Sequence, residues 1–293
     1  MKLTLVIPVY ISDPLHLDFT RQTLESIHTH HSHQVILVNN FCKPEFETEL
    51  SKLTSTPEVS FDSAQDAHTS GVKLVNNPSG NILAASWNLG MKLAFNQDGV
   101  SEFLGAQDLK RSAEERAPKN TETSPHSDYC LIINNDIILH PQAIDNLVAF
   151  AQKHPEFLLW SASEWANART LAQAKLTSRF SPHPHFSCFM VSPKTIETVG
   201  WFDEKFSFGY FEDNDYHTRI LLKGFQAAAT DSAKFYHYGS RTINVDDNLK
   251  IEGKYHYQLN RAYFKKKWGL DIHGRAFDPP EAILKEIHIH PPQ

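Results

Sequence analysis

An α/β fold with a mostly parallel sheet flanked by helices is what this sequence predicts, and three observations predict it. Short apolar runs suited to buried strands alternate with helix-spaced stretches from Leu3 to Lys153. Three polar clusters, Asn39-Asn40, Asn77 to Asn81 and Asn134 to Asp136, each follow such a run. In an open parallel sheet those positions meet in one crevice beyond the carboxyl ends of the strands.

The elements follow in order. Leu3 to Val9 is a first strand, and Leu17 to Thr29 a helix with Leu17, Thr20, Leu24 and Ile27 at helical spacing. Val35 to Val38 and Val72 to Val75 are further strands. A turn at Asn77-Pro78-Ser79-Gly80-Asn81 leads into a helix from Ile82 to Phe95. Residues from about 97 to 127 are rich in Glu, Lys, Ser, Thr and Pro, and are expected to form a flexible insertion. Tyr129 to Ile133 resumes as a strand, with a helix from Pro141 to about Lys153.

The second half is less regular. His185 to Val191 and Ala227 to Tyr236 read as strands, and Pro193 to Val199 as a short helix. Trp201 to Tyr210 is an aromatic loop, and Glu212 opens a helix that Gly224 stops. A last amphipathic helix runs from about Leu249 to Trp268. Its expected buried stripe is Tyr255, Leu259, Ala262 and Tyr263. Lys265, Lys266 and Lys267 at its end are expected to be solvated, available to an anionic acceptor or to the inner face of a membrane. The domain organisation expected is one catalytic unit over 1–240 and a C-terminal helical extension over 241–293 packed on it.

Composition excludes several classes. Lys plus Arg total 28 against 34 Asp plus Glu, a net charge of -6, whereas a nucleic-acid scaffold needs a basic face. Cys42, Cys130 and Cys188 fit neither a disulfide framework nor a zinc pattern, and read as free thiols of a reducing compartment. No apolar run approaches the ~20 residues of a membrane helix. A cytoplasmic protein is expected, with peripheral membrane contact through 265–267.

Chemistry concentrates at a few places. A carboxylate at a strand end beside carboxamides, as in Asn134-Asn135-Asp136, suits a divalent cation and a ribose, or simply caps a turn. Glu212, Asp213 and Asp215 crowd one helical first turn, where acids complement the helix dipole. Crowding also raises the pKa of at least one of them, as a general base requires. Successive helical residues point about 100° apart, so the three cannot all face one crevice. Asp215 has Arg219 one turn on as an ordinary ion-pair partner, and Asp213 is left to face the site. His237 ends an apolar strand and would give a metal a nitrogen ligand beside Asp136.

Taken in order, these clusters resemble the inverting family-two glycosyltransferases of the GT-A fold, in particular a rhamnosyltransferase-like branch. The likeness runs through Ile7-Pro8-Val9-Tyr10, Val38-Asn39-Asn40, Asn77-Pro78 to Asn88-Leu89-Gly90 and Ile133 to Asp136. It is strongest over Val199 to Glu204, Phe211 to Asp215 and His237-Tyr238-Gly239-Ser240. The resemblance implies a hexosyl- or deoxyhexosyltransferase that takes a sugar from a nucleoside-diphosphate donor, such as a UDP- or dTDP-sugar, to a glycan or glycolipid hydroxyl.

It also implies roles. Pro8, Val9, Tyr10 and Asn39 would hold the base, and Asn81, Asn88, Asn134, Asn135 and Asp136 the rest of the nucleotide sugar. Asp136 and His237 would bind Mn2+ or Mg2+. Asp213 would be the catalytic base, assisted by Glu212, with Trp201, Tyr210 and Glu212 on the acceptor side. Three places depart from the family pattern: Asn39 stands where Asp is usual, Asn134 takes the first place of the Asp-x-Asp-like triplet, and Ser79-Gly80-Asn81 does not reproduce the usual Asn-x-Gly turn. A non-catalytic nucleotide-sugar-binding module is the alternative the first two departures favour. A sugar-nucleotide pyrophosphorylase would need a basic, Gly-rich loop that Pro8 to Ser12 lacks.

Overall fold

The computed structural model describes residues 1–55, 69–95, 127–239 and 247–269. The expected insertion over about 97–127 therefore lies, but for Ser127, outside the described residues.

One nine-stranded sheet organises the chain. Its strands are β1 (Lys2–Ile11), β2 (Ser32–Cys42), β3 (Thr69–Asn76), β4 (Tyr129–Ile133), β5 (Ile137–Leu139), β6 (Phe157–Glu164), β7 (Phe180–Ser181), β8 (Cys188–Val191) and β9 (Gln226–His237). The order is β3-β2-β1-β4-β8-β6-β9-β5, with β7 beside β9. β1, β2, β3, β4, β6 and β9 run one way, and β5, β7 and β8 the other. The sheet is thus mostly parallel, and β1 to β4 end at one edge of it.

The helices are α1 (Pro14–Glu25), α2 (Glu47–Ser55), α3 (Leu83–Ala94), α4 (Ala143–Lys153), α5 (Pro193–Val199), α6 (Glu212–Leu222) and α7 (Asp247–Trp268). Side chains alternate across a strand, and β1 shows the consequence. Leu3, Leu5, Ile7, Val9 and Ile11 join α1 and α4 in one apolar layer. Val6 faces the other way, into a layer with Trp87 and Met91 of α3 and Tyr216 and Ile220 of α6. Burying both faces explains why the strands read as continuous apolar runs. Cys130 and Cys188 lie in these strands as buried free thiols, and burial pushes the Cys188 thiol up to about 12. Sequence patterning missed β5, β6, β7 and α2 and placed the remaining elements within a few residues of their ends.

A third, smaller apolar cluster joins the aromatic loop to α7 through Phe206, Phe211, Ala262, Tyr263 and Phe264. Two expectations for α7 are corrected here. Tyr255 is 45% exposed rather than part of the buried stripe, which passes through Ala262, Tyr263 and Phe264 instead. Lys267 is not solvated: its side chain is 8% exposed and its ammonium lies 2.6 Å from Asp203 and 2.8 Å from Asp215. Helical spacing alone could not separate these faces, because aromatic and charged residues ring the helix. Among the described residues no helix is long and apolar enough to cross a membrane.

Gly90 shows how closely α3 lies on the sheet. A Cβ added there would collide with Cγ1 of Val6 and stand 2.7 Å from Cγ2 and 3.0 Å from Cβ. Val6 is itself wholly buried in β1 and cannot swing away. Alanine ordinarily favours a helix interior over glycine by about 1 kcal/mol. Here overpacking is expected to outweigh that gain, so that Gly90→Ala lowers unfolding free energy by roughly 1–3 kcal/mol in denaturant titration. A stabilised variant would show that α3 is free to lift.

Candidate active site

The parallel strands deliver their ends to one cavity of about 330 Å³, within the range of small-molecule sites. Pro8, Val9 and Tyr10 enter it from β1, and Asn134, Asn135 and Asp136 from the turn after β4. Asn81 enters from the turn before α3. That turn is held by Asn77, whose amide donates to Asn40 Oδ1 and to the carbonyl of Gly80, both at 2.8 Å. Tyr210, Glu212, Asp213 and His237 complete the expected set that lines the cavity.

Three expected residues are not brought to it. Asn39 donates to the Asn76 carboxamide at the sheet edge, and it is its neighbour Asn40 that lines the cavity. Asn88 is buried in α3, where its carboxamide accepts from Phe202 N and donates to Phe202 O, both at 2.9 Å, and to Glu204. It anchors the aromatic loop and is removed from any ligand. Trp201 packs on the apolar layer below, with Lys92 over its ring. A motif locates such residues along the chain but leaves open which way each side chain points.

The register of two strands accounts for the pairing of Asp136 with His237. β5 and β9 run antiparallel with Ile137 opposite His237, and Tyr238 N donates to Asp136 O at 3.0 Å. The His237 Nε2 therefore stands 3.1 Å from Asp136 Oδ1. Burial opposes charge on His237, but the Asp136 hydrogen bond and the carboxylates of Asp136 and Glu164 outweigh it and raise its pKa. One carboxylate oxygen and one imidazole nitrogen are donor types that would suit a divalent cation such as Mn2+ or Mg2+. Among the described residues no third His, Cys, Asp or Glu joins them.

Opposite in character is the start of α6. Phe208, Tyr210 and Phe211 all have positive φ, of 66°, 78° and 72°, a conformation bulky L-residues adopt only when held there. The chain so bent presents Glu212 and Asp213 to the cavity while Asp215 turns inward to Arg219 Nε at 2.9 Å. Glu212 is 3% exposed. Burial, then the neighbouring Asp213, push its carboxyl up to about 8. Burial raises Asp213 too, against backbone N–H groups that favour its charge, Asn214 N among them at 2.7 Å. Asp213, with more donors and a half-buried side chain, is the member suited to carry the negative charge; Glu212 keeps a proton.

Trp87, Phe186, Ser187 and Leu249 also line the cavity, and none was expected there. Trp87 Nε1, Asn134 Oδ1 and Glu212 Oε2 are buried without a hydrogen-bond partner among the described residues. An unpartnered buried polar atom is costly, and three around one cavity leave a donor and two oxygens for a polar ligand. Trp87 also packs in the apolar layer beside α3, and its unpaired indole N–H sets it apart from the purely apolar residues there.

No protein-family model matches the sequence. A galactofuranosyl glycosyltransferase of Leishmania donovani is 24% identical over 212 residues, 65% of this chain and 48% of the relative. The chain thus spans about half the length of that relative. Among solved structures, GalNAc-T7 with UDP, GalNAc and Mn2+ superposes over 91% of this chain and 48% of its own, with TM-score 0.57 and 11% identity. TarS of S. aureus superposes over 90% and 43%, with TM-score 0.50 and 12% identity. These likenesses show the fold: a GT-A-type α/β sheet, similar to that of glycosyltransferases.

The buried acid makes stability pH-dependent. Unfolded, Glu212 titrates near ~4.3; folded, it holds its proton up to about 8. Between those values the folded state binds more protons, so stability falls as pH rises through the window. Glu212→Gln, shaped alike and uncharged, is expected to flatten that slope and to exceed the wild type at pH 8 by ~1 kcal/mol or more. Parallel pH–stability curves for the two proteins would show that Glu212 ionises freely.

Proposed function

We propose that this protein is an inverting glycosyltransferase that moves a sugar from a nucleoside-diphosphate donor to an acceptor hydroxyl. The observation that carries this reading is the placement of two unlike pairs, Asp136 with His237 and Glu212 with Asp213, around one cavity at the strand ends. The likeness to a galactofuranosyl glycosyltransferase and to UDP- and Mn2+-bound GalNAc-T7 supports it. Residues 1–240 form the transferase unit and 241–293 its helical extension. The donor is a UDP- or dTDP-hexose or deoxyhexose, the acceptor a glycan or glycolipid hydroxyl.

In this reading Pro8, Val9 and Tyr10 hold the base, while Asn81, Asn134 and Asn135 lie along ribose and diphosphate. Asp136 and His237 would hold a divalent ion, which when bound would supply positive charge against the departing diphosphate. Asp213 accepts the proton of the acceptor hydroxyl as that oxygen attacks the anomeric carbon. The bond from that carbon to the phosphate oxygen breaks on the opposite face, so configuration inverts. Glu212, protonated, donates a hydrogen bond to the acceptor and spares Asp213 a second negative charge. Trp87 and Tyr210 add an indole N–H and a phenol for sugar hydroxyls.

Screening uridine, thymidine and guanosine diphosphate sugars, a galactofuranosyl donor included, by nucleotide release tests the class. Asp213→Asn is expected to cut turnover by about two to four orders of magnitude while nucleotide binding persists. Near-normal turnover in Asp213→Asn, with loss in Asp215→Asn instead, would assign the base to the other carboxylate. For the second pair, His237→Ala is expected to abolish the Mn2+-dependent part of nucleotide-diphosphate affinity in calorimetry. Equal affinity with Mn2+ and with chelator, in wild type and variant alike, would remove these residues from the metal.

A further inference from the structure

The strained turn before α6 is not self-supporting. Each bulky residue in the left-handed region costs on the order of 1–3 kcal/mol, and such a turn persists only where its surroundings over-determine it. What surrounds it is α7. Asn260 is 1% exposed, and its amide nitrogen donates to the carbonyls of Ser207 and Gly209 at 2.8 Å and of Tyr210 at 3.1 Å. Its carboxamide oxygen accepts from Ser207 N at 3.2 Å. One side chain thus takes up three carbonyls of the irregular loop, of which Ser207 O also accepts from Gly209 N at 2.8 Å.

The same face of α7 makes the neighbouring contacts. His256, four residues earlier, bonds Ser207 Oγ through Nδ1 at 2.7 Å and stacks on Phe208 with an interplanar angle of 1°. Tyr263 donates to Asp203 at 2.8 Å. Lys267 bridges Asp203, ahead of the strained 207–211 turn, and Asp215, within α6. Trp268 Nε1 reaches the same Asp215 oxygen at 2.9 Å. Residues 256, 260, 263 and 267 share a helical face, so one rigid element grips the loop at both ends and in the middle.

We propose that Asn260 and Lys267 are positioning residues for the transfer step, holding the 207–211 turn so that Tyr210, Glu212 and Asp213 face the cavity. The proposal rests on the transferase reading for its kinetic consequence, but the clamp itself is a matter of structure. Neither residue lines the cavity, so neither touches the donor or the acceptor. The donor side is built from strand ends, and among the described residues α7 gives the cavity lining Leu249 but neither Asn260 nor Lys267, so the two sides are separable by these substitutions.

The test uses the whole chain with Asn260→Ala and Lys267→Met, the second keeping most of the stem should the first fail to fold. Amide hydrogen exchange is expected to show lost protection over 207–215 in both variants, with β1 to β4 as protected as in the wild type. Turnover is expected to fall 10- to 100-fold with an acceptor present, since small misplacements of reacting groups have effects of that size. Affinity for UDP with Mn2+ is expected to stay within threefold. Unchanged exchange over 207–215 would overturn the proposal, as would loss of UDP affinity in step with turnover, which marks a global defect. A wild type that transfers no sugar would defeat the transferase reading instead, and the exchange experiment would still decide the clamp.

Discussion

Placing two carboxyl groups side by side in a dry helix N-terminus is the constraint on which the cavity depends. Water is the cheapest stabiliser of a carboxylate, and Glu212 is nearly cut off from it. What remains is the set of free amides that every helix leaves at its start, and these serve one charge well and two poorly. The pair therefore keeps a proton, and a fold that holds it carries a site able to accept a second one. Asp215 completes the design from the other side. With Arg219, Lys267 and Trp268 on its two oxygens it stays an ion-paired strut, so three acids in one turn reach three different environments.

How the sheet meets this requirement follows from direction and register. Parallel strands bring their carboxyl ends to one edge, and that edge supplies Tyr10, Asn40 and Asn134 to the cavity. Antiparallel pairing of β5 with β9 adds what parallel strands cannot, a histidine within reach of a carboxylate one position along the partner chain, because Ile137 lies opposite His237 and Asp136 beside Tyr238. A shift of one residue would send His237 to the far face. The position of the Asp136–His237 pair is thus written into strand register rather than into a loop.

The legibility of the sequence divides along the same line. Strand Tyr129–Ile133, buried on both faces, and helix Pro193–Val199 stand where patterning placed them, whereas β6 was missed although Phe157 to Trp160 is such an apolar run. The turns after strands were equally legible, since only Asn, Asp, Gly and Pro suit them. Hence Asn81, Asn134 and Asp136 were found. β7 escaped because two residues carry no period, and α2 because it is short and polar. Side-chain direction escaped wherever several neighbours were chemically alike. Asn39 and Asn40 are interchangeable as text, yet a bulge between Val9 and Tyr10 in the β1–β2 pairing shifts the register beside them. Lys267 reads like Lys265 and Lys266, and only the approach of Asp203 and Asp215 sets it apart. Such contacts join residues more than fifty positions apart, and no local period encodes them.

The two halves of the cavity are consequently held by different physics. The strand-end half is fixed by a ladder of backbone hydrogen bonds, in which no single link can move without its neighbours. The loop half is fixed by a few side chains of α7 acting on a backbone that is unfavourable by itself. A change in α7 acts first on the second half, because among the described residues Leu249 is what that helix contributes to the cavity wall, while the Pro8-to-Tyr10 strand end and the Asn134-to-Asp136 turn are held by the sheet. A change in β1 or β4 disturbs both, since the sheet carries α3, and α3 carries the aromatic loop through Asn88. Dependence therefore runs one way, from the sheet to the loop, and shape on the loop side is the property this architecture leaves free to vary.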